Sequence, residues 1–280
     1  MYIKGMEKIF RGVLKYRHKY KEDMVSWFHH INENPNPTAI FMTCVDSRML
    51  PTRFTQTNPG DMFIARNVGN IMPHVKHFDP SNPFPEPGFL ELGVEINNIR
   101  HVVICGHSDC KAMGVLQSLN QDGANTKLND LTNSPIKAWV LKHGLTSLEK
   151  YEELKKSNFH KPMTVQAGGR GFPAYIDVEN TFGPVDKLSQ VNALIQMENM
   201  ASYPFMAEAI KNRKTQIHAM WFDFYTGELH YFSKTQKHFV PITDDTTDVL
   251  IKELHDSELN HTEFIKAAQN TFVDDNKKCC

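Results

Sequence analysis

The sequence has few cysteines, almost no net charge and no long apolar run, and each shortage excludes a class of protein. Five cysteines in 280 residues, without regular spacing, exclude a disulfide framework and indicate a reducing compartment. A net charge of -1 gives no basis for binding nucleic acid or an anionic membrane. No apolar run approaches the ~20 residues that span a bilayer, and no secretory signal is visible at the start. We therefore expect an intracellular globular protein that binds neither nucleic acid nor membrane.

The rest of the composition is ordinary for a globular chain, with 40% hydrophobic and 22% charged residues. The length allows a substantial core in one large domain or two small ones. Since neither an internal repeat nor a clear linker is present, we predict a single domain over residues 1–280. Within it, residues 1–34 are predicted to form an N-terminal helical arm, and residues 271–280 a flexible tail.

Residues 1–21 carry seven Lys or Arg and one Glu, and this basic segment permits two interpretations. One is a mitochondrial targeting helix. The other is a surface helix that buries four apolar side chains, Ile9, Phe10, Val13 and Leu14. Because transit peptides are usually rich in Ser and this segment contains none, the surface helix is favoured. The predicted compartment is mitochondrial or cytoplasmic.

Short apolar runs alternate with segments of helical periodicity, which predicts an α/β fold. We expect a mainly parallel central β-sheet flanked by helices, with a C-terminal antiparallel hairpin strand after Thr226-Gly227. The predicted strands are Thr38–Cys44, Asp61–Asn67, His101–His107, Gln216–Tyr225 and Glu228–Ser233. The predicted helices are Gly88–Asn98, Lys111–Leu119, Leu188–Met200, Tyr203–Lys211, Thr246–His255 and Glu258–Ala268. Two segments are expected to be irregular, Asn120–Ser134 and Ser157–Gly183.

Three potential metal ligands fall at strand ends in this pattern. Cys44 ends the first predicted strand, His107 ends the third, and Cys110 follows where a helix begins. Because ligands gather at the carboxyl ends of parallel strands, these side chains can meet if the two strands are neighbours. Two thiolates and one imidazole suit zinc, and three protein ligands leave a fourth position for water. The pattern therefore favours a metal that does chemistry.

A carboxylate and a guanidinium lie close to the first of these ligands. Asp46 is two residues beyond Cys44 and can accept a hydrogen bond from water on the metal. Arg48 can hold that carboxylate with two hydrogen bonds and keep it ionised. A structural zinc site has no need of such a pair.

The motifs around these clusters resemble those of the β-class carbonic anhydrases. The resemblance is dense over residues 36–118 and extends almost to residue 235. The stretches that carry it are Cys44-x-Asp46-x-Arg48, Pro59–Phe63, Arg66-Asn67, Glu91–Val94 and Cys105–Cys110. Three stretches resemble the animal branch in particular, His107–Met113, Lys187–Met197 and Ile217–Phe232.

The resemblance implies a reaction and a role for five residues. One Zn²⁺ per chain is bound by Cys44, His107 and Cys110, and Asp46 with Arg48 forms the catalytic dyad. The implied reaction is the reversible hydration of CO₂ to bicarbonate and a proton, by attack of zinc-bound hydroxide that the dyad orients.

The resemblance also implies a substrate pocket and an assembly. Phe63 and Val68 match positions that line an apolar pocket for CO₂, and Leu92 stands where many members have Tyr. The basic unit resembles a homodimer, which can pair into a tetramer, in which N-terminal helices wrap the partner near the site. Three polar neighbours are expected to shape loops, Ser47, Ser108 and Asp109.

Three other functions stay open from the sequence. A structural zinc module would need a fourth protein ligand, for which Cys105 is the candidate because it shares strand parity with His107. Hydrolysis of carbonyl sulfide or carbon disulfide would use the same metal and fold. A thiol redox role for Cys110 would lack the Cys-x-x-Cys motif typical of that chemistry.

Overall fold

The computed structural model describes residues 4–121, 132–169 and 171–256. Its centre is a six-stranded sheet with the order β2-β1-β3-β6-β7-β8, beside a two-stranded sheet of β4 and β5. The strands are β1 Ala39–Cys44, β2 Met62–Asn67, β3 His101–His107, β4 Met163–Val165, β5 Phe172–Ala174, β6 Gln216–Phe222, β7 Leu229–Ser233 and β8 His238–Pro241. The helices are α1 Lys4–Lys19, α2 Lys21–Glu33, α3 Pro51–Thr55, α4 Pro85–Glu91, α5 Lys111–Gln121, α6 Pro135–Lys156, α7 Pro184–Ala201, α8 Pro204–Lys211 and α9 over 244–256.

The predicted fold class is confirmed. The strands β2, β1, β3 and β6 run parallel, and β7 and β8 are antiparallel to their neighbours. Every residue after the first is buried in β1 and in β3, as expected for parallel strands covered on both faces. The predicted hairpin joins β6 to β7, and Gly227 in its turn has a φ of +82° that suits glycine.

Several element predictions need correction. The helix predicted over Gly88–Asn98 begins earlier, at Pro85, and changes at Leu92 to a π-helical turn. That turn forms because the backbone N–H of Asn97 donates to Leu92 O, five residues back (3.1 Å). The segment Ser157–Gly183, predicted to be irregular, contains β4 and β5.

Some observed elements have no counterpart in the prediction, and some predicted elements lie where the structure gives no comparison. The helices α3 and α6 and the strand β8 were not predicted. The predicted helix Glu258–Ala268, the tail 271–280 and most of Asn120–Ser134 lie outside the described residues.

The helix α7 is buried on nearly every side, although it carries several polar side chains. These side chains bond to backbone groups of the segment that follows β2. Asn192 donates to Gly69 O (3.0 Å), Gln196 accepts from Met72 N (2.9 Å), and Asn199 donates to Met72 O (2.9 Å). The helix therefore holds the segment that follows β2 against the carboxyl edge of the sheet, where the predicted ligands lie.

The N-terminal arm is helical, as predicted, but the expected burial on its own chain is wrong. Its apolar side chains Ile9, Phe10, Val13 and Leu14 are 55%, 62%, 57% and 52% exposed. Their face of α1 therefore packs on no described part of the same chain. Within the described residues, we find no helix long and apolar enough to cross a bilayer.

Candidate metal centre

The sheet topology brings the three predicted ligands together. The strands β1 and β3 are direct neighbours in parallel register, so Cys44 and His107 end at the same edge. Cys110 follows three residues after His107, in the turn before α5. The ligand atoms of the three residues lie within 4.8 Å of one another, and all three residues are buried. No other such group of three occurs in the part of the chain that the structure describes.

The histidine has one ring nitrogen without a partner. His107 Nδ1 lies 2.8 Å from the carbonyl oxygen of Ser108, so Nδ1 carries the proton and donates. His107 Nε2 is buried and has no hydrogen-bond partner. A buried nitrogen lone pair beside two sulfurs would be costly unless a cation accepted it. The donor set of two thiolates and an imidazole therefore fits Zn²⁺.

The two thiols interact, and the backbone around them donates hydrogen bonds. The Cys110 thiol donates to Cys44 Sγ, which lowers the pKa of Cys44 and raises that of Cys110. Backbone N–H groups of Asp46 and Gly69 face Cys44 Sγ and further lower its pKa. Amides of the first turn of α5 face Cys110 Sγ in the same way. The chain thus surrounds both sulfurs with donors suited to thiolates.

Asp46 and Arg48 form a two-point ion pair next to the cluster. Arg48 Nε donates to Asp46 Oδ1 (2.9 Å), and Arg48 Nη2 donates to Asp46 Oδ2 (2.7 Å). These hydrogen bonds hold the pKa of the Asp46 carboxyl well below its usual range. The carboxylate therefore stays ionised and acts as a hydrogen-bond acceptor at neutral pH.

Three residues that the sequence did not assign to the site hold this pair in place. Asp109 accepts from Arg48 Nη1 (3.1 Å), so it does more than shape its loop. The ring of Phe224 lies 4.0 Å below the Arg48 guanidinium and also packs on the His107 ring. Arg66 donates to the carbonyl oxygens of Cys44 (3.0 Å) and Asp46 (2.6 Å).

The predicted pocket residues do not all lie beside the cluster of their own chain. Val68 follows the β2 residue that pairs with Cys44, so it is a neighbour of the cluster. Phe63 pairs with Ile40, four residues before Cys44 and therefore ~13 Å away along the strand. Leu92 is 43% exposed, and the next residue, Gly93, packs against Ile40.

Cys105 does not join the cluster. It packs in a separate apolar group with Phe41 and Val103, and its thiol donates to Gly106 O (3.4 Å). Burial raises the pKa of the Cys105 thiol, which keeps it protonated. Its placement removes the candidate fourth ligand on which a structural zinc module depended.

This α/β protein thus carries, at the carboxyl edge of its mainly parallel sheet, a buried Cys–His–Cys cluster that can hold a metal ion, with an ionised dyad beside it. A sequence model of the carbonic anhydrase family matches residues 39–229. The chain therefore belongs to the carbonic anhydrase family, in its β class. The family and the enzyme class expected from the sequence are both confirmed.

Individual relatives agree with this assignment. Beta carbonic anhydrase 1 of Caenorhabditis elegans is 43% identical over 255 residues, which cover 89% of this chain and 93% of the nematode protein. Its counterpart in Caenorhabditis briggsae is 40% identical over 257 residues, with the same coverage. The solved β-carbonic anhydrase CcaA has the same fold, with a TM-score of 0.64 at 23% identity over 86% of this chain and 93% of that one. The nematode relatives fit the predicted animal-branch likeness.

Proposed function

We propose that this chain catalyses the reversible hydration of CO₂ to bicarbonate and a proton, with one Zn²⁺ held by Cys44, His107 and Cys110. The observation that carries the proposal is the buried three-ligand cluster with its unpartnered His107 Nε2 beside an ionised Asp46–Arg48 pair. Family membership supports the reaction, and the ligand count supports catalysis, because catalytic zinc keeps an open position.

A zinc ion held by these three residues would supply hydroxide at neutral pH by acidifying a water molecule. The chain's residues orient that nucleophile. The ionised Asp46 carboxylate would accept a hydrogen bond from that hydroxide and so orient it toward CO₂. Arg48 keeps Asp46 ionised and aligned through two hydrogen bonds, and it is itself held by Asp109 and Phe224.

The apolar neighbours suit an uncharged substrate. Val68, beside Cys44, offers a small apolar surface in the chain's own site. Phe63 on β2 pairs with Ile40, and Leu92 in the π-helical turn precedes Gly93, which also packs on Ile40. Both therefore lie too far from Cys44 to complete that site. We infer that they complete the site of a partner chain instead, so that the substrate pocket forms between two copies.

Exposed apolar surface in three places supports a homodimer. The apolar face of α1 is uncovered, and α2 buries none of its residues. Val45 and Leu50, on either side of the dyad, are 50% and 46% exposed. Several apolar side chains exposed along one helix face, as on α1, are typical of a protein interface. We infer that the same second copy brings its Phe63 and Leu92 to the site.

Phe10→Glu is expected to dissociate the dimer, because it places a carboxylate on the uncovered apolar face of α1. Sedimentation velocity measures the change in mass. The matched control is Lys8→Glu, an acidic substitution at an exposed residue of the same helix, which should leave the dimer intact. Equal masses for Phe10→Glu and the unmodified protein would contradict the role given to the arm.

Removal of zinc is expected to lower the midpoint of thermal unfolding by roughly 10 °C, if free zinc was at ~1000 times its dissociation constant. The reason is that the native fold holds the metal and the unfolded chain does not. Differential scanning calorimetry with and without a chelator checks this. The same chelator should not change the midpoint of His107→Asn. An unchanged midpoint after verified metal loss would contradict the predicted coupling.

The substrate is tested by assaying CO₂, carbonyl sulfide and carbon disulfide side by side. The zinc-loaded protein should hydrate CO₂ in a stopped-flow assay and show no comparable hydrolysis of carbonyl sulfide or carbon disulfide. Preferential hydrolysis of either sulfur compound would keep the metal site but overturn the proposed reaction.

A further inference from the structure

The turn Val68–Asn70 lies directly against the sulfur of Cys44. Asn67, which precedes the turn, pairs with Cys44 across β1 and β2. The N–H of Gly69 faces Cys44 Sγ as a donor. Gly69 has a φ of +81°, and a Cβ there would lie 3.0 Å from the Cβ of Ala112. The position requires glycine both for its backbone conformation and for its close approach to α5.

The peptide unit that carries this N–H is held at its other end by a tryptophan. Trp139, on α6, donates from Nε1 to the carbonyl oxygen of Val68 (2.9 Å). In a planar trans peptide the C=O and the N–H point in opposite directions. The bond from Trp139 to Val68 O therefore fixes the direction of Gly69 N–H toward Cys44 Sγ. Hydrogen bonds at both ends of one peptide also polarise each other.

The next peptide unit is held from the opposite side by α7. Asn192 Nδ2 donates to Gly69 O (3.0 Å). Its own Oδ1 accepts from Ser147 Oγ (3.0 Å) and Gln196 Nε2 (2.8 Å), so the orientation of the amide is determined. Two successive carbonyls of the turn are thus bound by buried or half-buried side chains from two helices.

We propose that Trp139 is a positioning residue for the metal centre: its indole N–H aims the Gly69 amide at the Cys44 thiolate. The inference rests on the proposed zinc site and goes beyond the three ligands and the dyad. Trp139 touches neither metal nor substrate and acts through one peptide group. A donor that orients and stabilises a metal ligand in this way changes metal affinity when it is removed.

Trp139→Phe tests this, since it deletes the N–H and keeps an aromatic ring against Phe84 and His143. The matched control is Tyr203→Phe, which also deletes one side-chain donor to a carbonyl of the same segment, Pro73 O (2.7 Å). Zinc affinity is measured by competition with a chromophoric chelator. Cobalt is then substituted, and the thiolate-to-cobalt charge-transfer absorption is recorded for each protein.

Trp139→Phe is expected to weaken zinc binding ~10-fold and to shift the charge-transfer band. This is the lower end of the roughly 10- to 100-fold that direct partners of metal ligands contribute, because Trp139 acts through the Gly69 peptide. Tyr203→Phe should lose comparable stability but stay within ~2-fold of the unmodified affinity, because Pro73 O is remote from the ligand. Unchanged affinity in Trp139→Phe overturns the proposal. An equal loss of zinc affinity in both variants also overturns the proposal, because Trp139 would then only support the segment that follows β2.

Should Trp139→Phe fail to fold, site-specific replacement of Trp139 by 3-benzothienylalanine gives the same test. That residue has the shape of tryptophan with sulfur in place of N–H, and the same ~10-fold loss is expected. The outcome is distinct from failure of the proposed function. If the unmodified protein binds zinc but hydrates no CO₂, the reaction is wrong, and the affinity comparison still decides the role of Trp139.

Discussion

His107→Asn is expected to lose its zinc and to lower CO₂ hydration by roughly 10³-fold or more, because the hydroxide nucleophile at neutral pH depends on the metal. His107 supplies the nitrogen lone pair of the cluster, and its Nε2 has no other partner in the structure. Two thiolates would remain, which is too few ligands to hold a catalytic zinc ion. Elemental analysis gives the zinc content, and stopped-flow measurement gives the rate.

The matched control for this prediction is Cys105→Ala. Cys105 lies two residues earlier on the same strand, is fully buried and belongs to a separate apolar group. Its removal should leave one zinc ion per chain and a hydration rate close to that of the unmodified protein. Zinc retained by His107→Asn, or lost by Cys105→Ala, would mean that the ligand set is wrong.

Asp46→Ala is expected to keep its zinc and to lose CO₂ hydration by about 10²- to 10⁴-fold, the range for removing a positioned proton acceptor. The ligands are untouched, so the metal stays. The nucleophile loses the acceptor that orients it, and Arg48 loses the partner of its two shortest side-chain bonds. Zinc analysis and stopped-flow hydration are again the two measurements.

Asp109→Ala measures how much of the rate depends on the anchoring of Arg48, apart from the role of Asp46 as acceptor. It removes the second carboxylate that pairs with the Arg48 guanidinium. That carboxylate accepts one hydrogen bond from Arg48, from Nη1 (3.1 Å). We expect a smaller loss of rate than in Asp46→Ala, because the two bonds from Arg48 to Asp46 remain. A hydration rate like that of the unmodified protein in zinc-loaded Asp46→Ala would reject the dyad mechanism.

The fold could be predicted largely because its signals are local. The β-branched run His101–His107 and the break at Thr226-Gly227 each specify an element without reference to distant residues. Parallel topology then places strand ends at one edge, so Cys44 and His107 could be expected to meet. The change from α to π geometry at Leu92 depends on the side chain and N–H of Asn97 bonding one carbonyl, which periodicity does not reveal.

Much of the support around the site could not be predicted, because it comes from elements far away in sequence. Phe224 reaches Arg48 from the turn after β6, and Trp139 reaches Val68 from α6. Neither has a motif of its own. The apolar face of α1 was predicted correctly as a feature of the helix but wrongly as buried on its own chain. An amphipathic pattern indicates that one face of the helix packs against apolar surface. It does not indicate whether that surface belongs to the same chain or to another.

We propose that a zinc ion on Cys44, His107 and Cys110 makes this chain a CO₂ hydratase. The most direct test adds zinc in steps to metal-free protein and follows CO₂ hydration by stopped flow together with bound metal. The rate should rise in proportion to bound zinc and reach its plateau at one ion per chain. Full occupancy without CO₂ hydration would contradict this proposal.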